Sequence, residues 1–424
     1  KPFSAVTYNI LKKCWNFSGR RGGIMCGIAG WVDFNENLYT QDKIMAGMSE
    51  TLKERGPDAE GAFKANEVFL VHRRLIVVDP NNGKQPMIRS TANGKFIIVY
   101  NGELYNTEQV RKKLLKLGYK FEGHSDTEVL LTAYIEWQEK CVDELNGIFA
   151  FAIWSENEKK LFIARDRMGV KPFFFHQYNG GLIFGSQIKT LLVHPKIRPI
   201  IDETGVASIM LLGPAKIPGN GVFKDILELK QGECATFDKN GLKLWEYWKL
   251  RAKIHTDNLE QTIEKTRFLL SDSITRQLVS DVPLCTFLSG GLDSSIISKV
   301  AADEYSKRGE KLSTYSIDYK GNDIYFKSND FQPNADAPWI ELMSKFLGSS
   351  HTNVVADTPA LIEALYDAVI ARDLPGMADV DSSLLLFCRE VKKDFTVAVS
   401  GECADEIFGG YPWYHDKNIL YNES

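Results

Sequence analysis

A run of apolar residues in the second half of the chain leads directly into a turn of serines and glycines. Residues 282–288 precede Ser289-Gly290-Gly291-Leu292-Asp293-Ser294, and a helical pattern follows. Two glycines let the backbone approach a ligand closely, Ser294 or Asp293 can cap the helix, and helical N-terminal N–H groups attract anions. No Gly-x-x-x-x-Gly-Lys-Ser/Thr sequence occurs, so this is not a Walker loop, and the aspartate suits magnesium on phosphate oxygens. The turn therefore predicts a phosphate-binding site.

A second, acidic loop follows the apolar residues 395–399. It reads Ser400-Gly401-Glu402-Cys403-Ala404-Asp405-Glu406, with three carboxylates in five residues. Ligands of open parallel sheets bind beyond the carboxyl ends of the strands. A binding role therefore explains this charge better than a solvated surface does, and we expect the loop to face the phosphate-binding turn.

The first methionine of the chain, Met25, is followed at once by a cysteine. If Met25 is removed, Cys26 carries an α-amine whose reference pKa of about 7.7–8.0 lies close to the thiol value of about 8.5. Such an amine can accept the proton of its own thiol, as in N-terminal nucleophile hydrolases. The seven histidines could supply a base only through the tertiary fold. Taken alone, Cys26 is better explained as a buried structural cysteine.

Four further motifs follow Cys26 in order, and together they change this interpretation. The set resembles the class II glutamine amidotransferase domain, which implies a nucleophilic Cys26. The resemblance also implies an oxyanion hole from the Asn101 side chain and the Gly102 N–H. It implies that Arg74 binds the carboxylate of glutamine and that Glu103 and Asp126 neutralise its ammonium group, with backbone contacts from Leu75, Val77 and Val78. The motifs are Cys26-Gly27-Ile28-Ala29-Gly30, Arg55-Gly56-Pro57-Asp58, Arg74-Leu75, Asn101-Gly102-Glu103-Leu104-Tyr105-Asn106 and Ser125-Asp126-Thr127-Glu128.

The turn at 289–294 resembles the PP-loop of ATP pyrophosphatases, and residues 25–424 as a whole resemble glutamine-hydrolysing asparagine synthetases. The resemblance implies that ammonia from glutamine displaces AMP from β-aspartyl-AMP, which forms from L-aspartate and ATP. Glu402 would assist formation of the adenylate, and Asp293 and Asp405 would hold Mg²⁺. The implied ATP-binding residues are Phe287, Leu288, Ser289, Gly290, Gly291, Asp293, Ser294, Ile317, Ser400 and Gly401.

The chain departs from the family pattern at two places. The second loop usually reads Ser-Gly-Glu-Gly-Ala-Asp-Glu, and Cys403 replaces the second glycine. The family also continues well beyond position 424, in a helical stretch that carries a catalytic lysine, so we expect an incomplete synthetase half. Two alternatives stay open: a paralogous amidotransferase that acts on another carboxylate, and a fragment with glutaminase activity only. The related β-lactam synthetases lack the nucleophile, so Cys26 speaks against that branch.

The elements that must position these residues change character along the chain. Up to residue 249 the pattern is mostly β, with two helices predicted at 42–54 and 108–117. Residues 250–259 are predicted as a linker, and residues 260–424 alternate strand and helix, as in a parallel sheet covered on both faces. The expected fold is thus an α+β domain, by resemblance an αββα N-terminal nucleophile sandwich, followed by an α/β PP-loop domain. The predicted strands are 28–32, 68–71, 95–100, 150–154, 161–164, 173–176, 182–185, 282–288, 312–319 and 395–399, and two later helices are predicted at 294–305 and 339–346.

The overall composition is that of a globular protein. The chain has 424 residues, of which 44% are hydrophobic and 25% charged, with a net charge of −4. These values predict two or three domains and no general binding to nucleic acid, and no apolar run reaches the roughly 18 residues that span a membrane. Seven scattered cysteines without a Cys-x-x-Cys pair indicate a reducing cytoplasm. Residues 1–24 are basic and are expected to be untranslated sequence or a removable leader; homodimer formation is left open.

Overall fold

The computed structural model describes residues 25–328 and 334–417. They form two units: unit 1 comprises the described residues up to Ile254 together with Glu363–Leu385, and unit 2 comprises His255–Ile362 and the described residues from Leu386 onward. The boundary at Ile254 falls within the predicted linker. Residues 363–385 were expected in the synthetase half, but they group with unit 1, where Asp373 Oδ2 accepts the backbone N–H of Lys189 at 3.0 Å. The predicted leader lies outside the described residues.

Unit 1 contains two six-stranded antiparallel sheets. Their strand orders are β10-β8-β9-β1-β3-β2 and β12-β11-β7-β6-β5-β4. The strands are β1 (Gly27–Asp33), β2 (Ala59–Lys64), β3 (Val68–Arg74), β4 (Met87–Thr91), β5 (Gly94–Leu104), β6 (Gly147–Ser155), β7 (Lys160–Arg165), β8 (Phe174–Tyr178), β9 (Gly181–Gly185), β10 (Leu227–Glu228), β11 (Glu233–Asp238) and β12 (Gly241–Glu246).

The two sheets face each other and carry helices on their outer faces. Ile28 and Leu70 of the first sheet pack in one core with Ile97 of the second, because both sheets bury apolar side chains on two faces. The outer layers are held by separate cores, which gives the predicted αββα sandwich. The helices are α1 (Asp42–Thr51), α2 (Thr107–Lys116), α3 (Asp126–Trp137), α4 (Cys141–Glu144), α5 (Ile188–Leu192) and α6 (Glu203–Leu212), with 3₁₀ turns at Leu38–Thr40 and Gln138–Lys140.

Unit 2 is built on a four-stranded parallel sheet of order β15-β14-β13-β16. One face packs on Leu278 and Ala301 and the other on Phe387 and Val391, so helices cover both faces as predicted. The strands are β13 (Leu284–Phe287), β14 (Ser313–Tyr319), β15 (Ser350–Ala356) and β16 (Val397–Val399). The remaining helices of the described chain are α7 (Leu259–Gln277), α8 (Leu292–Lys307), α9 (Asn322–Tyr325), α10 (Ala337–Leu347), α11 (Thr358–Arg372), α12 (Ala378–Val391) and α13 (Ala404–Phe408), with a 3₁₀ turn at Pro412–Tyr414. Most residues of α11 and α12 belong to Glu363–Leu385 and therefore to unit 1.

Most of the predicted elements are present, with shifted ends. Six of the seven strands predicted before residue 249 lie inside observed strands, and the strand predicted at 173–176 begins one residue later. The first helix ends at Thr51 rather than at 54, because the chain turns there and the N–H groups of Arg55 and Gly56 both donate to Leu52 O. Helix α8 begins two residues before its predicted start. Strands β2, β4, β10, β11, β12 and β15 and helices α3 to α7, α9 and α11 to α13 were not predicted.

Candidate functional site

Cys26 lies immediately before β1, and its thiol is held by the residue that follows β3. The N–H of Leu75 donates to Cys26 Sγ at 3.3 Å, and the thiol is placed to donate to Leu75 O at 3.5 Å. Burial raises the pKa of the Cys26 thiol, although the Leu75 N–H and the positive charges of Lys171, Arg74 and Arg55 act to lower it. Leu75 was predicted to contact glutamine, and the structure brings its backbone to the nucleophile.

The Arg55-Gly56-Pro57-Asp58 motif joins the Cys26 segment to the end of β3. Arg55 Nε donates to Cys26 O at 3.1 Å, and Asp58 Oδ2 accepts the N–H of Ile76 at 2.8 Å. Gly56 lies against the backbone of Arg73, since a Cβ at this position would be 2.2 Å from Arg73 O. The motif thus fixes the backbone on both sides of the thiol.

Arg74 ends β3 with its guanidinium enclosed by the following loop. Its Nη1 donates to Pro80 O at 3.2 Å, and its Nη2 donates to Val78 O at 3.0 Å and to Asp79 O at 2.7 Å. A buried guanidinium that donates to carbonyls keeps its full charge and can attract a carboxylate. The Val78 carbonyl is therefore engaged by Arg74, and contacts of glutamine with Val77 and Val78 stay predictions.

Asp79 holds this loop against the start of α3, and sequence reasoning missed it. The carboxylate is buried; Oδ1 accepts the N–H of Asn82 at 3.0 Å, and Oδ2 accepts those of His124 at 2.9 Å and Ser125 at 3.1 Å. Burial acts to raise the pKa of Asp79, but these N–H donors and the charge of His124 outweigh it and leave the pKa lowered. Asp79 has a positive φ of 49°, and the Asp-Pro-Asn-Asn-Gly sequence is the turn signal that could have revealed it.

Asn101 and Gly102 lie on β5 at the predicted oxyanion hole. Asn101 is 2% exposed, and among the described residues its Nδ2 has no hydrogen-bond partner. A buried amide donor without a partner is costly and is typical of a site that awaits an acceptor. Gly102 allows close packing, since a Cβ there would be 2.4 Å from Ile148 O. The unpartnered Asn101 amide suits an oxygen that develops negative charge; the packing of Gly102 shows only that β5 and β6 approach closely there.

Glu103 and Asp126 bring two carboxylates together near the same end of β5. Asp126 Oδ2 accepts the hydroxyl of Tyr100 at 2.8 Å and the N–H of Leu104 at 3.2 Å. Burial raises the pKa of Asp126. Burial also raises the pKa of Glu103, with Asp126 adding to the rise and Lys171 opposing it. A bound ammonium group would stabilise the charged forms of two such partly desolvated carboxylates.

His72 is a buried histidine of β3 and is unsuited to act as a base. Burial lowers its pKa to about 3, so the ring is neutral near pH 7. Its Nε2–H donates a hydrogen bond to Tyr100 O at 3.1 Å. His72 is therefore a core histidine with a satisfied hydrogen bond.

In unit 2 the phosphate-binding turn connects β13 to α8. Gly291 is the N-cap of the helix and no side chain caps it, so the expected cap by Ser294 or Asp293 is wrong. The Ser294 hydroxyl instead donates to Gly291 O at 3.2 Å and accepts the N–H of Ser289 at 3.2 Å. Gly290 has φ 80°, and a Cβ there would be 2.6 Å from Trp339 Cβ. The helix N-terminus without a side-chain cap suits an anion.

The acidic loop lies against this turn, because β13 and β16 are neighbours in the sheet. A Cβ on Gly401 would be 3.1 Å from Asp293 Cβ and 3.1 Å from Ser294 N. Cys403, the departure from the family pattern, has φ 72°, a left-handed conformation that favours glycine. Ser400 and Gly401 therefore join the phosphate-binding turn, and Glu402 is exposed at its edge.

Asp293 and Asp405 come close enough for their charges to interact. Burial raises the pKa of Asp293, and the charge of Asp405 raises it further. Two carboxylates beside a phosphate site fit Mg²⁺, which is usually bound by one or two carboxylates and substrate phosphates. Among the described residues, no group of three or more histidine, cysteine or acidic side chains could hold a metal by itself.

The apolar residues predicted for the nucleotide lie on or directly after β13 and on its neighbour β14. Leu288 is buried and its N–H donates to Tyr315 O at 2.8 Å. Phe287 and Ile317 are partly buried in one core, where Phe287 packs on Phe387 with ring centroids 4.6 Å apart. All ten predicted ATP-binding residues thus lie in or beside the loops that follow β13 and β16 or on β14; their contacts with a nucleotide stay predictions.

Two family models match the chain. The model of the glutamine amidotransferase domain matches residues 25–248, and the model described as asparagine synthase matches residues 265–423. The chain is 53% identical over 396 residues to asparagine synthetase [glutamine-hydrolyzing] 3 of Bacillus subtilis. The aligned region covers 93% of this chain and 64% of that protein. It is 31% identical over 414 residues to the putative asparagine synthetase [glutamine-hydrolyzing] 2 of Methanocaldococcus jannaschii, and this alignment covers 91% of this chain and 76% of that protein.

The chain thus spans 64% of the length of the first Bacillus subtilis relative, and 60% of a second, asparagine synthetase [glutamine-hydrolyzing] 1, at 32% identity. In the part of the chain that the structure describes, no helix is long and apolar enough to cross a membrane.

Proposed function

Because this chain belongs to the family of glutamine-hydrolysing asparagine synthetases, we propose that it forms L-asparagine from L-aspartate, ATP and the ammonia of L-glutamine. The observation that carries the glutaminase half is the buried Asn101 Nδ2, which has no partner among the described residues. It lies in the same unit as a cysteine thiol held at a backbone amide. This combination supports attack on an amide carbonyl.

In the proposed first reaction, the α-amine of a freed Cys26 takes the proton of its thiol. Sγ then bonds to the side-chain amide carbon of glutamine, and the carbonyl oxygen takes the negative charge opposite Asn101 Nδ2 and the Gly102 N–H. The C–N bond breaks as ammonia leaves with the proton, and water hydrolyses the thioester to glutamate. Arg74 would bind the α-carboxylate of glutamine, and Glu103 and Asp126 its ammonium group.

In the proposed second reaction, the β-carboxylate of aspartate attacks the α-phosphate of ATP and pyrophosphate leaves. The uncapped N-terminus of α8 and the serines beside it would bind the pyrophosphate oxygens. Mg²⁺, held by Asp293 and Asp405, would neutralise phosphate charge. Glu402 would assist adenylate formation, and ammonia would then displace AMP from the acyl carbon.

We infer a cytoplasmic location from cysteine usage. Six described cysteines are free thiols, which is expected in a reducing compartment. A homodimer stays a prediction, which sedimentation of the purified protein would test.

An assay of both half-reactions tests the proposal. Protein that begins at Cys26 is incubated with glutamine, ATP and Mg²⁺, with and without aspartate, and glutamate, AMP and asparagine are measured. We expect glutamate in both mixtures. In protein extended by the C-terminal helical stretch that the family carries, AMP and asparagine should form only when aspartate is present. Cys26→Ala should abolish glutamate release, whereas Cys234→Ala, at a cysteine buried elsewhere in unit 1, should keep it. Failure of the wild-type protein to release glutamate would refute the glutaminase assignment, and AMP formation with a different carboxylate would change the acceptor.

The role of the Cys26 amine has its own test. While Met25 is attached, the Cys26 nitrogen is an amide and cannot take a proton. We expect a protein that retains Met25 to hydrolyse glutamine at least about a hundredfold more slowly than one that begins at Cys26, given the usual contribution of a general base. Equal rates, with mass spectrometry confirming both N-termini, would contradict the mechanism.

A further inference from the structure

Lys171 is a buried lysine beside the nucleophile, and the mechanism above leaves it unused. It is 6% exposed, although lysines are rarely buried unless they are paired. Its Nζ donates to Met25 Sδ at 2.6 Å, so the ammonium lies next to the residue that precedes Cys26. A thioether is a weak acceptor. Within the described residues, the structure gives Lys171 no ion pair with a carboxylate, so its charge is not neutralised by a direct contact.

The backbone around Lys171 is fixed at the candidate oxyanion hole. Asp166 Oδ2 accepts the N–H of Lys171 at 2.9 Å and that of Phe149 at 3.2 Å, and Phe149 is the cross-strand partner of Gly102. Arg165 Nε donates to Lys171 O at 2.8 Å. The Asp166 carboxylate therefore ties the Lys171 loop to Phe149, the residue that pairs with Gly102.

We propose that the Lys171 ammonium has an electrostatic role in the glutaminase site. It is a buried cation that stabilises the thiolate of Cys26 and the carboxylate form of Glu103. The proposal rests on the glutaminase function proposed above and adds to it a positioning residue that acts through the charges of its neighbours. The charged groups near enough to influence the Lys171 ammonium electrostatically are Glu103, Arg55, Cys26 and Asp166.

The electrostatics agree with this placement. Lys171 is the first of the charged side chains that lower the pKa of Cys26, ahead of Arg74 and Arg55. It is also the group that lowers the pKa of Glu103 against the effects of burial and Asp126. Burial in turn lowers the pKa of Lys171, which Glu103 opposes most among the charges. These interactions indicate an electrostatic role for Lys171 in addition to packing.

The test compares Lys171→Met, which removes the charge at similar length, with Lys171→Arg, which keeps it. Lys159→Met is the control, at a lysine paired with Glu67 on the surface of the same unit. In the full chain, the rate of Cys26 alkylation by iodoacetamide is followed against pH by peptide mass spectrometry. We expect the apparent pKa of Cys26 to rise by about 1 or more in Lys171→Met, as for loss of a neighbouring charge. Alkylation below that pKa should slow about tenfold, while Lys171→Arg and Lys159→Met titrate like the wild type.

In protein that begins at Cys26, the acidic limb of kcat/KM for glutamine should move to higher pH in Lys171→Met only. Lys171→Gln repeats the removal of charge should the methionine variant not fold. An unchanged Cys26 titration in a folded charge-removing variant, or an equal shift in Lys171→Arg, would overturn the proposal. The alkylation result is independent of glutamine, so a wild-type protein without glutaminase activity would refute the function and still leave Lys171 tested.

Discussion

The candidate sites of the two units are built in opposite ways. In unit 1, Arg74, Asn101 and Lys171 are buried, at most 6% exposed, and the surrounding loops are tied by buried side-chain hydrogen bonds. In unit 2, Ser289, Gly291 and Glu402 are exposed, and most of the donors are backbone N–H groups at the start of α8.

The difference agrees with what each site is proposed to bind. A developing oxyanion gains most from fixed donors in a dry environment, where electrostatic interactions are strong. A polyphosphate brings several charges of its own, so a helix N-terminus and carboxylates that share a metal ion are sufficient to hold it. We therefore expect substitutions in unit 1 to act through geometry and burial, and those in unit 2 to act through charge.

Asn101→Ala should have the largest effect, because it removes one preorganised donor. We expect kcat for glutamine hydrolysis to fall about 10²–10³-fold with a smaller change in KM. Thermal stability should be unchanged or higher, since Nδ2 loses no partner among the described residues. Steady-state kinetics and calorimetry measure the two. A loss of activity matched by a large loss of stability would make Asn101 a structural residue.

Asp79→Asn tests whether hydrogen bonds on the loop maintain unit 1. Asparagine tolerates the positive φ, so the change acts on the acceptors for Asn82, His124 and Ser125, and we expect a cost of about 2 kcal/mol at pH 7. Because the folded pKa of Asp79 is lowered, its stabilisation is present above the unfolded value of about 3.9 and is lost as pH falls through the folded value.

Urea unfolding of the wild type and of Asp79→Asn at several pH values would show the difference shrinking below about pH 4. Asp238→Asn is the control, in an exposed turn where the carboxylate accepts one N–H, that of Asn240. A difference that stays constant down to pH 2 would contradict the assigned role of the Asp79 carboxylate.

Asp293→Asn and Asp405→Asn test the charge-based site of unit 2. Each should weaken Mg²⁺-dependent binding of a non-hydrolysable ATP analogue about tenfold, because one metal ligand is lost. Isothermal titration at several Mg²⁺ concentrations measures this effect, and glutamine hydrolysis should be unchanged. Unaltered Mg²⁺ dependence in both variants would show that these aspartates are ordinary surface charges and not metal ligands.

Cys403→Gly should have the smallest effect, a gain of about 1 kcal/mol in the stability of unit 2, because glycine adopts φ 72° without strain. Cys403→Ala is a matched control that removes the thiol and keeps the Cβ. It should be neutral within a few tenths of a kcal/mol. Equal stabilities of the glycine and alanine variants in denaturant unfolding would show that the left-handed backbone stores no strain.

The sequence predicted most of the inner strands of the sheets, because these are short apolar runs separated by turn residues. It missed edge strands such as β2, β4, β12 and β15, whose side chains are largely exposed and whose sequences are therefore more polar. Helix α3 was missed for the opposite reason: eight of its twelve residues are buried, so it has no polar face and no helical period. Its beginning was nonetheless visible, since Ser125 caps the helix and acidic residues occupy the first turn. The same motif was interpreted only as a glutamine contact.

The site was predicted in part. Cys26, Arg74, Asn101 and Asp126 could be found because their side chains suit a recognisable chemistry. The turn that carries Asp79 could be recognised, but the role of its carboxylate could not, because it accepts N–H groups from a distant loop. Lys171 could not be found either, because its role depends on burial of its ammonium in the tertiary fold. Neither property is encoded in local spacing.

Residues 363–385 belong to unit 1 although they follow most of unit 2 in the sequence, and this affects the order in which the protein folds during synthesis. Lys189 on α5 donates from both its backbone and its Nζ to Asp373, and Leu374 packs on the core beneath α5. Residues 255–362 are translated between the two stretches, a delay of roughly 5–20 s at ribosomal speed. Unit 1 therefore completes its last contacts only after most of the parallel sheet of unit 2 has left the ribosome, and a nascent chain that ends at Ile254 would expose α5 without its carboxylate partner.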